Sequence, residues 1–106
     1  MELILIPEIT ILTNKFNITY NKKHSGGSFE FAKAKIEIGI AELHKDNIFI
    51  LGTISHEIME AILVCLGARY NHTNIENNYL FNFNHQTFET AIQLHTELIT
   101  KFIKQS

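Results

Sequence analysis

The stretch "GTISHEIMEAILVCLGA", residues 52–68, is apolar at most positions yet places His56, Glu57 and Glu60 within five residues. Its apolar character extends upstream and wraps around a helical circumference: Ile48, Leu51, Ile54, Ile58, Ala61, Ile62, Cys65 and Leu66 leave little of the surface polar. That pattern predicts a central, buried helix. Asp46 or Asn47 suits its N-cap, and Gly67 suits the residue just past its end. An imidazole and two carboxylates on such a helix are either solvated at one end or needed inside. Burying ionisable groups without compensation costs several kcal/mol each.

Outward from this helix, the N-terminal half alternates with a period of two. Ile9 and Ile11, then Phe16, Ile18 and Tyr20, are separated by polar neighbours, with "TNK" (13–15) as the turn between two strands. "NKKHSGG" (21–27) breaks the pattern as a loop. The alternation resumes in "SFEFAKAKIEIGI", but its parity shifts from Phe29 and Phe31 to Ala34, Ile36 and Ile38. A bulge or short turn near Ala32–Lys33 follows, since a straight strand would swap faces there. Beyond the central helix, "ARYNHTNIENN" reads as a loop and "YLFNF" as a short strand. Asn84 caps a last helix whose stripe is Phe88, Ala91, Ile92, His95, Leu98, Ile99, Phe102 and Ile103. The expected architecture is α+β: a small N-terminal antiparallel β-sheet packed on two long helices, in one domain spanning residues 1–106.

Composition narrows the function. Net charge is −2 with 9 Lys and Arg against 11 Asp and Glu, and "NKKH" is the densest basic run. Neither nucleic acid nor an anionic membrane is the expected partner, because both require clustered cations. "MELILIP" is too short and acidic for a secretory signal, and "NIFILGTIS" stops at His56, short of a span. The single cysteine, Cys65, reads as a small buried hydrophobe, and a cytosolic location is expected.

Residues four apart on a helix share a face, so His56 and Glu60 point together while Glu57 is turned aside by about 100°. This is the spacing of the HExxH zinc motif, here "HEIME", with glutamate as an acceptable second ligand. Alone, HExxE is a weak pattern, equally the mark of an exposed polar stripe. Gly52, one turn before His56, leaves room for a metal, a substrate or a crossing helix. A third ligand could come from His85 in the first turn of the last helix, with Glu89 in reserve; His85 reads equally as a first-turn polar residue. His95 reads as a hydrogen-bonded core or interface histidine, and His24, His44 and His72 as solvated loop residues.

Taken together, "GGSFEFAKAKIEIG", "ISHEIMEAI" and "NHQTFETAIQLHTEL" resemble, in order and spacing, the small phage- and prophage-encoded zincin-like (gluzincin-type) metallopeptidase-like proteins. The likeness spans residues 8–103 and is moderate in residue identity. That family has His at the position of Glu60 and Glu at or beside that of His85; here the two are exchanged, which preserves two imidazoles and one carboxylate. The resemblance implies a minimal zincin-like fold, Zn²⁺ on His56, Glu60 and His85, and Glu57 as general base and acid toward a peptide held by strand addition. Fe²⁺ or Mn²⁺ would suit the same donors less well. Tyr70, Tyr79 and His72 are unranked candidates for oxyanion stabilisation. The expectation is a zinc-dependent hydrolase-like protein of the metallopeptidase kind, meeting a protein or peptide. The alternative is a non-catalytic phage accessory protein that binds and inhibits a protein partner.

Overall fold

The computed structural model describes residues 1–71 and 79–105. Strands β1 (Glu8–Ile11), β2 (Asn14–Asn21), β3 (Gly27–Glu30) and β4 (Lys35–Gly39) precede helix α1 (Asn47–Cys65). Strands β5 (Arg69–Asn71) and β6 (Tyr79–Phe81), helix α2 (His85–Ile99) and a 3₁₀ turn (Thr100–Phe102) follow. The fold is α+β, a four-stranded mixed sheet packed on two helices.

The sheet obeys the alternation in the sequence. Ile9, Ile11, Phe16, Ile18, Ile36 and Ile38 are all buried, and the register aligns them: Ile9 opposite Phe16, Ile18 beside Ile36. Sheet order is β1-β2-β4-β3. The parity shift is a turn at residues 31–34, where the Ala34 amide donates to the Phe31 carbonyl at 2.9 Å. Two expectations need correction. The β1–β2 turn is tighter than "TNK", a two-residue link at Leu12 and Thr13 with Leu12 at φ 56°. The sheet is also not wholly antiparallel, because β2 and β4 run parallel. The 22–26 loop carries the chain to the far edge as β3, and β4 returns between β3 and β2. Periodicity tells which face a residue takes, not which strand lies beside it.

Helix α1 packs against β1, β3 and β4 and against α2. It is long and apolar enough to cross a membrane by length and composition; here Ile50, Ile54, Ile58, Ala61 and Ile62 form the core with the sheet isoleucines. Asp46 caps it by accepting from the Phe49 amide at 3.0 Å. It ends where the Gly67 amide donates to Val64 O (3.0 Å) and the Ala68 amide to Leu63 O (2.8 Å), with Gly67 at φ 70°. These two bonds satisfy carbonyls left over by the last turn and require a left-handed residue. "RYN", expected to be loop, forms a strand: Arg69–Asn71 pairs antiparallel with Tyr79–Phe81, too short a run for periodicity to reveal.

Helix α2 is capped by Asn84, which accepts from the Thr87 amide. Its inner stripe is only partly covered. Ala91, Leu98 and the following Phe102 are buried, whereas Phe88 and Ile92 are nearly half exposed. The stripe fixes which side of α2 turns inward, but not how far a partner extends along it.

Gly67→Ala is expected to destabilise the protein by about 1 kcal/mol, because a Cβ disfavours the left-handed region. Chemical denaturation should show this as a lower midpoint with an unchanged slope.

Candidate metal centre

Glu57, Glu60 and His56 occupy consecutive turns near the middle of α1. His56 Nε2 lies 3.1 Å from Glu60 Oε2, the i,i+4 pairing read from the sequence. Ligand atoms of His56, Glu57 and Glu60 all fall within 4.8 Å of one another. Their environments differ. The His56 side chain is 69% exposed, and Glu60 is half-buried. Glu57 is 5% exposed, the one charged residue in the buried set among the described residues. The edge strand accounts for its burial: a Cβ on Gly27 would lie 3.0 Å from both Glu57 Cγ and Thr53 Cγ2, and 3.1 Å from the Glu37 carbonyl oxygen. The glycine lets β3 close over the helix at this point.

Among the described residues, the side-chain hydrogen-bond partner of the Glu57 carboxyl is the Glu60 carboxyl. Burial, then the neighbouring negative charge of Glu60, push its pKa upward against the opposing pull of His56 and Arg69. Two facing carboxyls, one of them buried, favour a proton or a cation between them. One imidazole nitrogen and two carboxylates suit a divalent ion in donor type and mutual distance.

A cleft of about 480 Å³ opens beside this group, with Gly26 and Gly27 of the β3 side facing Phe49, Gly52, Thr53, His56 and Glu57 of α1. Gly52 opens this cleft and admits no crossing helix, since a Cβ there would meet nothing within 4 Å.

The structure does not bring His85 to the group. Its side chain is 83% exposed and pairs within its own helix, Nε2 lying 2.8 Å from Glu89 Oε1. The reason lies in the helix crossing. The α2 residue beside this part of α1 is His95, whose Nε2 is 2.7 Å from Ser55 Oγ. His85 is ten residues away from His95, about 15 Å along a helix. His95 is thus a hydrogen-bonded interface histidine, as its place in the stripe suggests. Of the oxyanion candidates, the side chains of Tyr70 and Tyr79 and the whole of His72 lie outside the described residues. Cys65 is half-buried with its pKa raised by burial, and Asn14 Nδ2 stands 3.5 Å from its sulfur.

The residue that sequence reasoning missed is Arg69. Its NH1 lies 3.4 Å from Glu60 Oε1, and its side chain is 13% exposed. A cation two residues past the terminal glycine of a helix is placed to fold back on the last turns, and that was the available signal. Comparison with protein-family models, curated proteins and solved structures finds no match.

The unfolded chain ionises Glu57 in the ordinary carboxylate range, whereas the folded chain keeps that proton to higher pH. Between those limits the folded state binds more protons, so stability must fall as pH rises. In chelator, Glu57→Gln is expected to raise the melting temperature at pH 8 by a few degrees and to flatten its decline from acid pH. An unchanged pH profile in the variant would show that Glu57 is not the source.

Proposed function

We propose that the group on α1 is a divalent-metal hydrolytic centre of the zincin type, with His56 and Glu60 as ligands and Glu57 as general base. The observation that carries this reading is a buried Glu57 carboxyl lining a cleft, grouped with His56 and hydrogen-bonded to the Glu60 carboxyl. Zinc is the preferred ion, with Fe²⁺ or Mn²⁺ as less favoured occupants. When bound, the ion supplies Lewis acidity toward a carbonyl and lowers the pKa of water. Glu57 then takes the proton of the attacking water and returns it to the leaving amine; its raised proton affinity suits both transfers. Strand β3, at the end of the sheet order, offers an edge along which an extended peptide can add, with Gly26 and Gly27 giving close access.

The non-catalytic alternative, a phage accessory protein that binds and inhibits a protein partner, is favoured by one observation away from this cleft. Phe81, Phe83, Phe88 and Ile92 are exposed, and Phe83 stacks on Phe88 at 6.1 Å between centroids. Large exposed apolar side chains in company suit a protein contact.

Elemental analysis of protein purified without an affinity tag for metals separates the two. About one zinc per chain is expected, lost in His56→Ala and Glu60→Gln but kept in His85→Ala and Glu57→Gln. Glu57→Gln should lack any peptide hydrolysis seen in the parent. Metal-free protein whose melting is indifferent to zinc would overturn the hydrolytic reading. Zinc lost in Glu57→Gln would make Glu57 a ligand instead of the base.

A further inference from the structure

We propose that Arg69 governs which divalent ions the centre accepts, by holding one carboxylate oxygen of Glu60 and leaving the other for the metal; this rests on the reading of His56 and Glu60 as ligands. The two oxygens of Glu60 are already distinguished. Oε2 faces His56 Nε2 at 3.1 Å, and Oε1 faces Arg69 NH1 at 3.4 Å. The guanidinium is held from a second side. It sits 5.3 Å from the ring centroid of Phe29 on β3, a cation–π geometry. Phe29 in turn packs edge-on against buried Phe16 at 5.6 Å. Arg69 is therefore tied through an aromatic pair to the core of the sheet.

A carboxylate with both oxygens free can chelate an ion, whereas one engaged by a guanidinium offers a single oxygen. Zinc, content with four N and O donors in a tetrahedral arrangement, loses little by that restriction. Manganese, which favours six oxygen-rich positions, loses a donor. The positive charge of Arg69 also offsets one carboxylate, which weakens purely electrostatic attraction for every divalent ion and leaves geometry to discriminate among them. Arg69 is thus a positioning residue: it acts through Glu60 without touching the metal.

The test uses the full chain, stripped of metal and titrated with Zn²⁺ and Mn²⁺ in competition, and separately with Co²⁺ read by visible absorption. The parent is expected to prefer zinc and to give the intense Co²⁺ bands of four-coordination. In Arg69→Met, the zinc-over-manganese preference should fall about tenfold, the lower range for groups that orient a ligand, and the Co²⁺ bands should weaken. Arg69→Lys, which keeps the charge but not the planar fork, should fall between them; it decides the matter if circular dichroism shows Arg69→Met unfolded. Preference and spectrum within twofold of the parent in both variants would overturn the role of Arg69 while leaving the metal centre standing. A parent that binds none of the three ions, like His56→Ala, overturns the centre and this role together.

Discussion

A carboxyl group held at 5% exposure on an isoleucine-rich helix has to be matched by a proton or by a cation. Much of the surrounding structure is arranged around that demand. Gly27 removes the side chain that would otherwise collide with Glu57, so the edge strand can seal one flank. Glu60 and His56, one turn and one residue away, fill the polar side, and Arg69 brings a compensating positive charge from β5. Apolar packing surrounds the group on the remaining side, where Ile54, Ile58 and Ala61 join the sheet. The centre is thus a polar defect in the core, open to solvent through His56 and the cleft.

Under the proposed function, proton and divalent ion would compete for this pair of carboxyls. Poor hydration and the Glu60 charge raise the Glu57 pKa, while His56 and Arg69 pull it the other way. In the proposed metal centre, an ion on Glu60 would replace the proton and leave Glu57 free to move one. Stability and chemistry therefore draw on a single group.

The parts of this that were legible in the sequence are those set by local periodicity. Alternation at Ile9 to Ile38 gave the sheet faces, and the Asp46 and Asn84 caps and terminal Gly67 gave the helix ends. The i,i+4 rule gave the pairing of His56 with Glu60. What was not legible depends on how elements meet. The parallel neighbourhood of β2 and β4 arises from the path of the 22–26 loop, and the burial of Glu57 beyond that of His56 arises from Gly27 in a strand 30 residues earlier. His85 failed for the same reason. A helical stripe carries no information on sliding along its axis, and the Ser55–His95 bond shows where α2 actually meets this part of α1. Arg69 is not legible because a three-residue strand leaves no periodic trace.

The turn at Gly67 has an effect beyond ending a helix. Because the chain reverses there and enters β5 two residues later, every ionisable member of the group, from His56 to Arg69, comes from one short continuous segment. Such contacts form with little loop closure. The wall of the cleft, in contrast, arrives from β3 through long-range packing. Electrostatic make-up and shape are therefore separately inherited: drift in the sheet can reshape what the cleft admits while the helix and its returning strand keep the charged group intact.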